Sequence, residues 1–256
     1  MILNSKILGS NEKKIIILHG FLGSLDNWIT FGKKLSYNGF EVHLIDQRNH
    51  GKSFHSDDFD YKLMANDLYE YLNEHSIKKT SILGHSMGGK TAMLYSLLHP
   101  DTINKLIIVD ILPVNYDNNY DEIFKALLNI NLKEIKSRND FNIHLRKHFK
   151  DTNFILFLSK NLQRSGNGQF NYKSNIKILY KEYKNITKGF ELINQFKNEV
   201  LFIKGEKSEY IDKEKLKLSE KFFPEYKLEK ISNAGHWVHY ENPNDFFLVC
   251  SNYLSN

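Results

Sequence analysis

Short, nearly continuous apolar runs constrain this chain more than any other feature. They are Ile15–Leu18, Val42–Ile45, Ser81–Leu83, Leu106–Val109, Val200–Ile203 and the weaker Lys227–Ile231. A strand with one wet face alternates apolar and polar residues. A continuous run has to be buried on both faces, as in a parallel sheet covered by helices. Helical stretches fall between the runs: Leu25–Tyr37, Tyr61–Glu74 and Lys90–His99, the last stopped by Pro100. Two more are expected at Lys213–Phe222 and Asn244–Tyr253. The Ile2–Leu8 run suits an antiparallel edge strand. The fold class is therefore α/β, with a mostly parallel sheet flanked by helices.

The alternation breaks between Asp110 and Val200, where no buried-type strand appears. Helical runs replace it at Glu122–Leu132, Asp140–Phe149 and Phe154–Leu162, followed by a turn signal at Ser165-Gly166-Asn167-Gly168. A stretch this long is not a plain loop in a compact domain. It is expected to be a helical lid, residues 117–198, inserted into a core domain made of residues 1–116 and 199–256. The 256 residues suit one such large α/β domain.

Charge is uneven. The net +5 hides a basic segment from Asp121 to Asn198, with 15 Lys and Arg against 7 Asp and Glu. Such an excess forms a solvated surface or attracts an anionic substrate or membrane surface. Zinc-finger spacing and RNA-binding sheet motifs are absent, which argues against nucleic acid. No run is long and apolar enough to span a membrane, and the N-terminal residues lack signal-peptide order. A cytoplasmic location is therefore expected, without integral membrane association. The single cysteine, Cys250, sits in an apolar run and reads as a buried helix residue. One cysteine allows neither an intrachain disulfide nor a cysteine-based metal site.

The chemistry concentrates at Gly84-His85-Ser86-Met87-Gly88-Gly89, directly after one strand and before a helix. That context makes Ser86 the candidate nucleophile, raised on a sharp turn where Gly84 and Gly88 avoid collision with neighbouring backbone. A serine hydroxyl needs a base of near-neutral pKa, which imidazole supplies. Of the 11 histidines, His236 in Gly235-His236-Trp237 is best placed, after the last strand and at the same carboxyl edge. His85 and His19 are expected to support the site by hydrogen bonding. The turn His19-Gly20-Phe21-Leu22-Gly23 follows the first buried strand. The backbone N–H groups of Phe21 and Met87 are the candidate oxyanion hole.

The acid is the least obvious member. After Val200–Ile203 the chain reads Lys204-Gly205-Glu206-Lys207-Ser208-Glu209, with a serine where an aspartate would be expected. Asp110 ends the neighbouring strand, and the order Ser86, Asp110, His236 suits the nucleophile-acid-base sequence. Asp110 is favoured, with Glu206 and Asp212 as alternatives. Asp46-Gln47-Arg48-Asn49-His50-Gly51 looks catalytic but reads as a loop fixed by charge-assisted hydrogen bonds. No metal or organic cofactor is required.

Together these pieces, with Gly89-Lys90 and Val109-Asp110-Ile111-Leu112-Pro113-Val114, resemble the YbfF-like bacterial esterase subgroup of the α/β-hydrolase family. The resemblance spans nearly the whole chain, though the inserted segment carries little pattern. It implies the α/β-hydrolase fold and hydrolysis of small-molecule acyl esters, with acyl-CoA thioesters as a further class. It also implies an acid at Asp110 and Ser208 as an auxiliary partner near His236. Rival expectations are carbon–carbon bond hydrolysis or peptidase activity on the same fold. A rival of another class is a catalytically idle binding protein.

Overall fold

In chain order the first half contains β1 (Ser5–Leu8), β2 (Lys13–Leu18), a 3₁₀ turn at Leu25–Trp28, α1 (Ile29–Tyr37), β3 (Phe40–Ile45), α2 (Tyr61–Glu74), β4 (Thr80–His85), α3 (Met87–Leu98) and β5 (Ile103–Val109). There follow α4 (Asp121–Leu128), α5 (Arg138–Leu145), α6 (Thr152–Ser159), β6 (Leu162–Arg164), β7 (Phe170–Tyr172) and α7 (Ile176–Thr187). The chain ends with β8 (Val200–Gly205), α8 (Lys213–Ser219), β9 (Tyr226–Ile231), α9 (Val238–Glu241) and α10 (Pro243–Ser255). This computed structural model describes every residue except Asn167, Leu192, Ile193 and Asn256. Part of the expected Ser165–Gly168 turn therefore lies outside the described residues.

Seven strands form one sheet in the order β1-β3-β2-β4-β5-β8-β9, parallel except for β1, which pairs antiparallel with β3. Alternate residues of each buried strand feed opposite faces. Ile15, Ile17, Leu83, Ile107, Val109, Leu201 and Ile203 join one core with Phe31 and Leu35 of α1 and Phe246 and Cys250 of α10. Ile16, Leu18, Ile82, Leu106, Ile108 and Phe202 join the other with Leu68 of α2 and Met93 of α3. Both faces are thus dry, which is why the runs carry no polar alternation. Among the described residues, no helix is long and apolar enough to cross a membrane.

The segment between β5 and β8 departs from the expectation of helices alone. The expected helix Phe154–Leu162 stops at Ser159, and Leu162 opens a hairpin with β7, pairing with Tyr172. Asn161 turns its side chain away from a helical course, donating to the carbonyl of Leu22 at 2.6 Å and accepting from Ser174 at 2.5 Å. Helix α7 has no counterpart among the expected elements. Its buried residues Ile176, Leu179, Tyr183 and Ile186 nevertheless follow amphipathic helical spacing. The expected Lys213–Phe222 helix ends at Ser219, because Phe222 and Phe223 turn into the core instead.

Candidate active site

The parallel sheet brings the carboxyl ends of β4, β5 and β8 side by side, and the candidate residues sit there. Ser86 lies between β4 and α3 with φ 53° and ψ −119°, a conformation that costs on the order of 1–3 kcal/mol in a non-glycine residue. The crowding around the turn shows what holds it. A Cβ on Gly88 would come within 2.5 Å of the Leu18 carbonyl, and one on Gly84 would strike the Gly88 carbonyl. Backbones pack there at distances only glycine allows.

Ser86, His236 and Asp110 form one hydrogen-bonded line. The Ser86 hydroxyl is 3.0 Å from His236 Nε2, and His236 Nδ1 is 2.8 Å from Asp110 Oδ2. With Nδ1 protonated, that nitrogen donates to the carboxylate and Nε2 accepts from the serine. Asp110 is fully buried, also with positive φ. Its charge is satisfied by three donors: His236, the Ser208 hydroxyl on the same Oδ2, and the Gly205 amide on Oδ1 at 3.2 Å. A buried carboxylate without such donors would favour its neutral form. Ser208 therefore meets the histidine through Asp110. Glu206 and Asp212 do not reach the site. Glu206 accepts from the Asn233 amide and pairs with Lys230, while Asp212 caps α8 through the Lys215 amide.

Neighbouring rings fix the histidine. His85 Nε2 donates to the His236 carbonyl at 2.8 Å, tying the serine turn to the histidine loop. Tyr210 stacks on the imidazole, with centroids 3.9 Å apart. Burial, reinforced by neighbouring histidines, drives the pKa of His85 well down. Burial first, then His236 and Lys160, pushes His239 down to about 3. Both rings stay neutral at pH 7, so neither repels a cation forming on His236. His239 also stacks on Trp28 at 4.1 Å.

The turn after β2 is clamped. The Leu22 amide donates to His50 Nε2 at 3.2 Å, the Leu22 carbonyl accepts from Asn161, and the Gly23 amide returns to the Gly20 carbonyl. His19 accepts from the Gln47 amide and donates to the Gly20 carbonyl. The Phe21 and Met87 amides have no protein acceptor among the described residues. Phe21, Ser86 and Met87 border the same small cavity, about 20 Å³. Asp46 and Arg48 tie their loop to neighbouring elements. Arg48 grips Asp67 through two bonds of 2.6 and 2.8 Å, and Asp46 accepts from the Leu25 and Lys52 amides. Cys250 is buried in α10, and burial pushes its thiol pKa up.

Ser86 and His236 open into a cavity of about 290 Å³ walled by Phe21, Trp28, Tyr120, Phe154, Phe157 and Trp237. An outer cavity of about 590 Å³ shares Asn27, Phe157, Trp237 and His239 with it, and is also bordered by Arg138, Lys160 and Lys173. The walls from Tyr120, Phe154 and Phe157, and the stacking by Tyr210, were not legible in the sequence. Each depends on a distant segment folding back over the sheet edge. The arrangement can deliver a proton from a serine to an imidazole backed by a buried carboxylate, beside the Phe21 and Met87 amides, as acyl transfer requires.

Similarity to known proteins agrees with this architecture. Residues 13–243 match the family model described as the alpha/beta hydrolase fold. The chain is 33% identical to the esterase YbfF of Escherichia coli K12, covering 96% of this chain and 94% of that protein. It is 31% identical to a mouse sn-1-specific diacylglycerol lipase, covering 94% and 80%. Among solved structures, a marine microorganism esterase superposes with a TM-score of 0.95 at 38% identity, covering 98% and 99%. By its sheet, its serine turn and these matches, the chain belongs to the α/β-hydrolase family.

Proposed function

We propose that this protein is a serine carboxylesterase acting on small-molecule acyl esters through Ser86, His236 and Asp110. The observation that carries the reading is the His236 ring bridging Ser86 and Asp110 at the floor of an apolar cavity. Ser86 Oγ attacks the acyl carbonyl while His236 Nε2 takes its proton. Asp110 holds the proton on Nδ1 and stabilises the imidazolium. The amides of Phe21 and Met87 receive the oxyanion. His236 returns the proton to the leaving alcohol, then activates the water that releases the acid. Esterase and lipase names among the relatives support the reaction class. In this reading residues 117–198 serve as a lid over the core of 1–116 and 199–256, and the protein works in the cytoplasm. The test is labelling by a fluorophosphonate with wild type and Ser86→Ala, alongside turnover of p-nitrophenyl esters. An idle binding protein would not label. A carbon–carbon hydrolase or peptidase would label but turn over a carbon–carbon or amide substrate in preference to an alkyl ester of the same acyl group.

A second substrate class, acyl-CoA thioesters, is favoured by the outer cavity. Arg138, Lys160 and Lys173 border it against one carboxylate, Asp26, which already pairs with Lys173 at 2.7 Å. Lys160 has no carboxylate partner among the described residues. An anionic leaving group passing through would meet this positive field. Turnover of an acyl-CoA should fall with added salt more than that of a neutral ester with the same acyl chain, since exposed charges are screened within about 10 Å at 0.1 M. Equal salt responses would remove this class.

A further inference from the structure

Lys90 lies one helical turn beyond Ser86 on α3, and its side chain is only 1% exposed. Its ammonium donates to the carbonyls of Val114 at 2.8 Å and Lys188 at 2.7 Å, with the Thr187 carbonyl at 3.5 Å. Val114 precedes the inserted segment, Thr187 closes its last helix, α7, and Lys188 caps it. One side chain therefore grips the chain just before the insertion and the end of the insertion's last helix. The ammonium also lies over the rings of Tyr61 at 5.6 Å and Tyr116 at 4.9 Å. Among the described residues it has no carboxylate partner. Burying such a cation is costly, and burial pulls its pKa down to about 7. An apolar side chain of similar length would fill the space without that cost. Packing alone therefore does not account for a lysine here.

A chain of contacts leads from this point to the imidazole. The Tyr116 amide donates to the Thr187 carbonyl at 2.9 Å. The Tyr116 hydroxyl accepts from the Leu112 amide and donates to the Tyr210 carbonyl, both at 2.9 Å. The Tyr210 ring in turn stacks on His236. We propose that Lys90 is a positioning residue: it fastens the chain entering the inserted segment and the end of that segment's last helix to the helix carrying Ser86 and, through Tyr116 and Tyr210, holds the His236 ring in line with that serine. The proposal rests on the reading of Ser86 and His236 as the reacting pair.

The test is Lys90→Met in the full chain, with kcat and KM for a short p-nitrophenyl ester measured per fluorophosphonate-titrated site, beside the melting temperature. Misplacing a catalytic group by about 1 Å can cost on the order of 100-fold. The expected result is a kcat loss of about tenfold or more, with KM little changed. A role in packing alone would lower the melting temperature and leave kcat per titrated site unchanged. That result, or a loss confined to KM, overturns the proposal. If Lys90→Met yields no folded protein, Tyr116→Phe keeps the ring and removes the hydroxyl's bonds to the Leu112 amide and the Tyr210 carbonyl. A lower kcat per titrated site with KM little changed supports the proposal, and an unchanged kcat overturns it. Failure of the serine reading itself would appear separately, as persisting turnover in Ser86→Ala.

Discussion

Replacing Asp110 by asparagine tests the proposed acid in a way the geometry makes unusually sharp. An amide has one accepting and one donating end, and its orientation here is not free. The Gly205 N–H points at Oδ1 and cannot reverse its polarity. The asparagine oxygen must therefore stay at Oδ1, which sends the NH₂ group to the Oδ2 position facing His236 Nδ1. The Ser208 hydroxyl can rotate to accept, but the imidazole has to accept as well. Its proton then moves to Nε2, which would donate toward Ser86 instead of taking the serine proton. Inversion of this tautomer in a Ser-His-Asp site costs about 10⁴-fold in turnover, roughly 5.5 kcal/mol at the transition state. Folding should suffer far less. The buried charge disappears and its charge-assisted bonds become neutral ones, a change of about 1–3 kcal/mol. The assay is p-nitrophenyl ester turnover per folded molecule, with circular dichroism and melting on each variant. Ser208→Ala should lose roughly tenfold, because the carboxylate keeps two of its three donors and forgoes one charge-assisted bond. Glu206→Gln, facing solvent and Lys230, should stay near wild type. An active Asp110→Asn beside a crippled Glu206→Gln would refute the reasoning and move the acid to the loop after β8.

Other substitutions probe the remaining parts. Ser86→Ala should cut turnover by about 10³-fold or more while leaving the fold intact; retention of over about a tenth of the rate would exclude Ser86 as nucleophile. Gly88→Ala forces a Cβ toward the Leu18 and His19 carbonyls and should destabilise by about 1–3 kcal/mol, read as a melting-temperature drop of several degrees; an unaltered melting temperature would contradict the close packing of that turn. His239 has a folded pKa of about 3 against about 6.5 unfolded, so its stabilising contribution is complete above pH 6.5 and drains away as pH falls toward 3. The loss approaches about 1.4 kcal/mol per pH unit for that ring. His239→Phe should therefore flatten the fall in melting temperature between pH 7 and 5, and an unchanged slope would count against a buried neutral ring. Because no metal ligands cluster in a recognisable spacing in the sequence, a chelator should leave turnover unchanged; loss with EDTA and recovery with a divalent ion would contradict the mechanism.

The sheet was legible because its information is local. Ile15–Leu18 or Leu106–Val109 announces burial on both faces through its own neighbours, and the structure extends these runs by only a few residues. The serine turn was legible for the same reason, since Gly84 and Gly88 are required by clashes within one strand–turn–helix unit and the strand beside it. In α7 the signal was present, at Ile176, Leu179, Tyr183 and Ile186, but it lay in a lysine-rich stretch that reads as surface. What the sequence could not decide is which distant groups meet. Its strand-end position favoured Asp110 over Glu206 and Asp212, but the register of β5 against β8 is what brings Asp110 beside His236, Ser208 and the Gly205 amide. The same holds for Asn161 on Leu22, Tyr210 on His236 and Lys90 on Val114 and Lys188. Chain neighbours determine backbone propensity and burial period. Contacts between residues some 25 to 140 positions apart depend on how whole elements pack, and no local pattern encodes them.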